Sequence, residues 1–326
     1  MSLSRRDFVR SSLTTAAVLA LPLPLQACAR GTPEAGAPGE VPGEDAAAER
    51  ASLHEPPTSA DEARLLTWTR ALREGGLHTA QAPLGRAAAR VGELAIGTPY
   101  EAFTLEEYLR AGGSPMRTEP LTLSLTRFDC VSLVEACLAI ARMARSDGVP
   151  TWEGFGQEME RLRYRGGERA GYTSRLHYFS EWISDNARRG IVRELGQELG
   201  GRPDTRPLRF MSSNPDSYPA LAHAEVREEI AQMERSLDDQ PRYVIPTERI
   251  PEVDPQIQTG DILAFATAIE GLDVTHSAYA YRDEGGVLRV LHAPLSGGVV
   301  EITRSTLPEY VRAIRRSTGI LVARPV

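Results

Sequence analysis

The chain has 326 residues, enough for one large domain or two small ones, and an ordinary globular share of 41% hydrophobic side chains. Its 44 acidic residues outnumber 37 basic ones, all arginine, for a net charge of −7. With no basic block or aromatic-interleaved patch, that balance argues against nucleic-acid binding.

Residues 1–28 read as an export signal. Ser4-Arg5-Arg6-Asp7-Phe8-Val9-Arg10 is similar to a twin-arginine signal, and an apolar segment at 13–25 follows it. Export by this route implies the bacterial cell envelope. Leu25-Gln26-Ala27-Cys28 is similar to a lipobox, which makes Cys28 the lipidation site of a lipoprotein anchored in the membrane and facing the periplasm. Gln26 is not the small residue usual there, and an ordinary signal-peptidase cut near 27–29 would leave a soluble periplasmic form instead. No internal apolar stretch is long enough for a transmembrane helix. Residues 29–60 are rich in Ala, Gly, Pro and Glu, cannot bury enough surface to order themselves, and read as a flexible tether.

From 61 to 326 the composition is globular, with no internal repeat or linker. Apolar spacing predicts amphipathic helices over 63–74, 84–94 and 105–111. The segment 130–145 is apolar nearly all round, the mark of a central buried helix. A short helix is expected over 157–164, after Gly156. Residues 165–210 mix Gly, Arg and aromatics without clear periodicity and read as a long ordered insertion. Strands are expected late, at 261–267, 276–281, 287–292, 299–302 and 319–323. Helices first and antiparallel strands afterwards predict one α+β domain, its buried helix packed on a sheet face and a helical portion preceding it.

The segment 127–135, Arg-Phe-Asp-Cys-Val-Ser-Leu-Val-Glu, carries the chemistry. Asp129 is a favoured helix N-cap, which makes Cys130 the first helical residue. There the positive end of the helix dipole favours thiolate over thiol. The competing reading is a buried structural cysteine. Downstream, His276-Ser277-Ala278-Tyr279-Ala280-Tyr281 and Val287-Leu288-Arg289-Val290-Leu291-His292 flank a Gly-containing loop and predict a hairpin. Pairing Tyr281 with Val287 sets His276 opposite His292, with β-carbons roughly 4.5–5.5 Å apart. Cys130, His276 and His292 would then supply the roles of nucleophile, base and orienting group; the alternative is two unrelated strand histidines.

A zinc site is the obvious rival. Structural zinc wants four ligands, and Cys137 lies two helical turns beyond Cys130, about 10 Å away at 1.5 Å per residue. With no zinc-peptidase pattern either, no metal and no organic cofactor are called for, and Cys137 is assigned to the core. Three cysteines in all do not make a disulfide framework.

Assembled in order, these motifs resemble the NlpC-type cell-wall cysteine hydrolases, a papain-like superfamily, and within it the N-acetylmuramoyl-L-alanine amidase-like branch. Ile96-Gly97-Thr98-Pro99-Tyr100 is similar to the Gly-x-Pro-Tyr segment that precedes the nucleophile helix. Phe128-Asp129-Cys130-Val131-Ser132-Leu133-Val134-Glu135 matches the branch's nucleophile motif with two conservative departures, Ser132 and Leu133. Tyr164-Arg165-Gly166-Gly167, Tyr172-Thr173-Ser174-Arg175-Leu176-His177-Tyr178 and Trp182 look like its characteristic insertion. Gly260-Asp261-Ile262, Gly271-Leu272-Asp273-Val274-Thr275-His276 and Leu291-His292-Ala293 complete the pattern, although Pro294 stands where the family often has Ser.

The resemblance spans roughly 62–325. It implies Cys130 as nucleophile, His276 as base and His292 as orienting residue. Tyr100 would help hold the oxyanion, beside the Asp129 cap, or simply pack after Pro99. Arg175, His177 and Trp182 would border the substrate cleft, with Arg175 able to fork onto a stem-peptide carboxylate. Asp273 would bind substrate or shape the turn before His276. The implied reaction is cleavage of the N-acetylmuramoyl-L-alanine amide of peptidoglycan or a soluble muropeptide. The alternatives are a γ-D-glutamyl-diamino acid endopeptidase and, from another class, a non-catalytic wall-binding lipoprotein.

Overall fold

The computed structural model describes residues 56–294 and 298–326. The export signal, Cys28 and residues 29–55 of the tether lie outside the described residues.

Helix α1 (Ser59–Glu74) opens on a reciprocal cap: Asp61 N donates to Thr58 Oγ1 at 3.1 Å, and Thr58 N donates to the Asp61 carboxylate at 3.1 Å. The helix therefore starts at Ser59, inside the stretch 29–60 expected to be tether. Asp61 also accepts from Leu125 N at 2.7 Å, pinning this helix to the chain that leads into Cys130. Helices α2 (Leu84–Leu94) and α3 (Cys130–Ala144) fall where apolar spacing placed them. Expected helix 105–111 appears as two short helical turns, Thr104–Glu106 and Glu107–Arg110. Helix α4 (Trp152–Arg163) begins five residues before its expected start. Thr151 caps it by accepting from Gly154 N, and burial of Phe155, Met159 and Leu162 outweighs the low helix propensity of Gly154 and Gly156.

The insertion is more regular and longer than expected. It contains helix α5 (Phe179–Arg188), whose buried Phe179, Trp182 and Ile183 recur at helical spacing. Strands β1 (Val192–Glu194) and β2 (Arg202–Asp204), helix α6 (Ala224–Ser236) and strand β3 (Arg242–Pro246) follow. Tyr172, Tyr178, Leu208, Met211, Tyr218, Val226 and Ile230 bury against one another and give this lobe its own core, extending to Leu237. The expected order, all helices and then all strands, is thus corrected: three strands precede residue 247.

The remaining elements are β4 (Ile262–Thr267), β5 (Val274–Arg282), β6 (Leu288–His292), β7 (Glu301–Ile302), helix α7 (Leu307–Ala313) and β8 (Ser317–Pro325). The sheet runs β2-β3-β8-β4-β5-β6-β7, with β1 also on β8, and the described pairs are antiparallel. Side chains alternate between two cores, as strand geometry requires. Ile262, Ala264, Ala266 and Tyr279 pack with α2 and α3 on one face; Leu263, Phe265, Ala278 and Val290 pack with Leu307 and Val311 of α7 on the other. A mixed α+β architecture with a buried helix on an antiparallel sheet is what the sequence predicts.

The hairpin forms, but two residues out of the expected register. Tyr281 pairs with Arg289 and Tyr279 with Leu291. Asp283 decides this: its N–H donates to Val287 O (3.0 Å) and its carboxylate accepts from Val287 N (2.9 Å), which closes a five-residue loop. Continuing the register sets His292 beside Ala278, not His276. A slip of two leaves every side chain on its own face, so the two histidines remain diagonal neighbours. A second irregularity matters more. On β4, Ala264 pairs with Ser277 and Ala266 with Val274, so Thr275 and His276 together oppose Phe265. This is a β-bulge: His276 stays on the face of Ala278 and Phe265, and Val274 beyond it turns to the other.

Candidate active site

Cys130 occupies the first position of α3. Asp129 Oδ1 accepts from Ser132 N at 2.7 Å, and Ser132 Oγ accepts from Asp129 N at 2.9 Å. This reciprocal cap leaves the thiol at the positive end of a 15-residue helix, where a thiolate is favoured. The neighbouring strand holds the helix start in place: Ser277 Oγ donates to Cys130 O (3.1 Å) and Tyr279 OH to Val134 O (2.7 Å). Cys130 is half-buried and lines a cleft of about 280 Å³ together with Thr275, His276 and Ser277 of the bulged strand. Cys137, in contrast, is fully buried, and burial pushes its thiol far up, as befits a core residue.

His276 Nε2 lies 2.8 Å from His292 Nδ1. The His276 ring stacks on Phe265 (5.5 Å between centroids, 13° between planes), and His292 meets it edge-on at 5.1 Å. Burial first, and His292 second, hold the His276 pKa well below its usual value; burial lowers that of His292 to about 4. Two neutral imidazoles share one hydrogen along the Nε2···Nδ1 line. If His276 donates it, His276 Nδ1 keeps a lone pair for a thiol proton. That atom is buried and has no hydrogen-bond partner among the described residues.

Tyr310 of α7 helps decide where this hydrogen sits, and no local sequence signal pointed to it. Its hydroxyl lies 3.3 Å from His292 Nδ1, with the rings edge-on at 5.1 Å. Burial, then the negative charges of Cys130 and Glu301, push the phenol up, so it stays a donor. A phenol donating to Nδ1 favours a lone pair there, hence the His292 tautomer with its hydrogen on Nε2. That nitrogen faces the Glu301 carboxylate at 3.7 Å. Phe265, Glu301 and Tyr310 are therefore members of the site that strand patterning alone left unmarked.

Of the other expected residues, Tyr100, Asp129, Arg175, His177 and Asp273 line the cleft. Trp182 does not. It is 1% exposed and stacks on Phe179 in the main core (5.0 Å, 9°), a consequence of its position on the buried face of α5. Arg175 is at the cleft wall but already engaged: Glu106 is 3.5 Å and Glu119 3.3 Å from its guanidinium, which lies over the Tyr172 ring. Glu119 is itself pushed up to about 7, by burial first, against the pull of Arg175. His177 Nε2 sits 2.9 Å from Tyr172 O. Asp273 accepts from Ser180 N and from Val274 N, both at 2.7 Å. It thus caps α5, whose own N-cap residue Tyr178 supplies no side-chain bond, and fixes the entry to the strand that carries His276.

The family model described as N-acetylmuramoyl-L-alanine amidase-like matches residues 90–320. Among solved structures, an N-acetylmuramoyl-L-alanine amidase from Bacteroides uniformis is similar at 30% identity and TM-score 0.67, over 74% of this chain and 99% of that one. A Bacteroides fragilis protein described provisionally as a xylanase is 32% identical with TM-score 0.65, over 72% of this chain and 98% of that one. A Legionella pneumophila protein shares the fold at 18% identity and TM-score 0.56, over 82% of this chain and 96% of that one. No curated protein matches the chain.

Proposed function

Since the chain belongs to the N-acetylmuramoyl-L-alanine amidase-like family, we propose that it is a cysteine-dependent amide hydrolase cutting between N-acetylmuramic acid and L-alanine in peptidoglycan or muropeptides. One observation carries the cysteine mechanism: Cys130 at a capped helix N-terminus lines one cleft with His276, whose far nitrogen is bonded to His292.

His276 Nδ1 takes the Cys130 proton, and the thiolate attacks the lactyl carbonyl carbon. Amides at the start of α3, including that of Cys130, receive the developing oxyanion, with Tyr100 beside them. The His276 imidazolium returns its proton to the alanine nitrogen as the C–N bond breaks. Water, deprotonated by His276, then releases the thioester. His292 accepts from His276 Nε2 throughout and keeps the ring in the productive tautomer. In this reading the domain is of the NlpC-type, papain-like kind. The chain is exported through its twin-arginine segment and held at the periplasmic side of a membrane by lipid on Cys28.

Cys130→Ala is expected to abolish release of stem peptides from muropeptides, and Cys137→Ala to leave it intact; equal activity of the two variants overturns the assignment. Mass spectrometry of the digest identifies the bond. Free tri- or tetrapeptide means amidase, whereas truncated stems mean the γ-D-glutamyl endopeptidase, because cleft shape rather than the catalytic residues selects the amide. Failure of a thiol probe to label Cys130 selectively would favour a non-catalytic wall-binding lipoprotein.

A further inference from the structure

Two non-glycine residues have left-handed backbone among those described, Phe103 (φ +66°) and Arg316 (φ +64°), and both line the cleft. In that region the β-carbon crowds the carbonyl oxygen, and such residues persist where the surrounding structure holds them, clustering at active sites and ligand clamps. Arg316 sits in the turn between α7 and β8, where Ser317 N donates to Ile314 O. Glycine would fit this turn without strain. The backbone of Arg316 is tied in: its carbonyl accepts from Ala268 N (2.9 Å) and Thr267 Oγ1 (3.3 Å). Its side chain is not.

The other charged groups of the cleft are committed. Asp129 caps α3, Asp273 caps α5, Glu106 accepts from Tyr172 OH at 3.3 Å, and Arg175 stands between Glu106 and Glu119. Arg316 is exposed, and its guanidinium has no hydrogen-bond or ion-pair partner among the described residues. A planar guanidinium fork matches a carboxylate in two parallel hydrogen bonds.

We infer that Arg316, rather than Arg175, binds a free carboxylate on the stem peptide of the substrate and so selects which stems the cleft accepts. The inference rests on the peptidoglycan reading of the site. It separates two arginines by their partners: Arg175 holds the cleft wall, and Arg316 reads the ligand.

The test uses the whole protein and muropeptides whose stem carboxylates are converted one at a time to carboxamides. One such amidation is expected to lower kcat/KM of the wild type at least about tenfold, the loss of a charge-assisted fork. The same amidation should cost Arg316→Gln and Arg316→Gly nothing, because both variants have already lost the preference, while Arg316→Lys retains part of it. Arg316→Gly removes the backbone strain, so an unchanged or raised Tm shows that its loss of preference is not misfolding. Equal slowing of every substrate by Arg316→Gln, or survival of the preference, overturns the inference. If the wild type cleaves no muropeptide, the hydrolase reading fails on its own account. Calorimetric binding of free stem peptide and its amides then decides the carboxylate site. Weaker binding of one amide, erased by Arg316→Gln, sustains it; equal binding of all of them overturns it.

Discussion

At the scale of single residues, the proposed reaction turns on one hydrogen between His276 Nε2 and His292 Nδ1, 2.8 Å apart. Only when His276 donates it does His276 Nδ1 become a base. Removing the partner in His292→Ala is expected to lower kcat/KM on the order of 10²- to 10⁴-fold, the range for a base that loses its orientation or tautomer. Tyr310→Phe keeps the ring but loses the hydroxyl 3.3 Å from His292 Nδ1, and should cost less, about tenfold in kcat with KM unchanged. The pH profile separates these roles from simple support. His276 must be neutral to act, and burial holds its pKa below the usual value, so the acid limb of kcat/KM should lie below pH ~6.5. His292 is the second cause of that depression, and His292→Asn is expected to move the limb upward. A limb above pH ~7 in the wild type would contradict His276 as the buried base.

At the scale of elements, two local devices shape and hold the strand that carries the histidine. The bulge sets Thr275 and His276 together against Phe265, so His276 stays on the face of Ala278 and stacks on Phe265 while Val274 turns to the other face, at the point where the strand borders the cleft shared with Cys130. Asp273 anchors the strand just before it, with one carboxylate oxygen on Ser180 N and the other on Val274 N. Asp273→Ala removes the cap of α5 and the tie to β5 at once. It is expected to cost about 1–2 kcal/mol of stability, the range for a lost cap, and to lower activity without touching substrate. Denaturant unfolding alongside kinetics checks this. Unchanged stability would return Asp273 to the role of a substrate ligand.

At the scale of the whole molecule, the site lies where the sheet, α3 and the inserted lobe meet, and its buried groups tie folding to pH. A histidine whose pKa is lower folded than unfolded binds fewer protons in the native state between those two values. His292, near 4 when folded against ~6.5 unfolded, therefore contributes stability that is complete above pH ~6.5 and is lost as pH falls toward 4. Glu119 acts in the opposite sense. Pushed up to about 7, it contributes stability present below its unfolded value of ~4.5 and lost as pH rises through 7. The informative quantity is thus a difference. Between pH 7 and 5 the wild type should lose about 2 kcal/mol more than His292→Gln, measured by urea unfolding at each pH. Equal losses would mean that His292 is not held neutral in the folded protein.

Local signals were enough for much of this. The Asp129 cap, the apolar run behind Cys130 and the flanking strand patterns of the hairpin are contained in short segments, so the capped helix that begins at Cys130, the neighbouring histidines and the assignment of Cys137 to the core were all legible in the sequence. The hairpin register was off by two because Asp283 closes the loop through its own side chain, a choice that alternating hydrophobicity does not encode. Helix α5 was missed because its few apolar residues, Phe179, Trp182 and Ile183, stand among Ser, Glu, Asp and Asn in a stretch whose flanks show no periodicity, and they find their partners only in the main core. What tertiary structure alone decided was partnership. Trp182 looks like a cleft residue in sequence and Arg175 like an open guanidinium fork at its border, yet long-range packing gives Trp182 to the core and pairs the cleft-lining Arg175 with Glu106 and Glu119. Tyr310, 18 residues beyond His292 in a separate helix, joins the site for the same reason: chemistry depends on contacts between segments, and residue types declare only what each segment can offer.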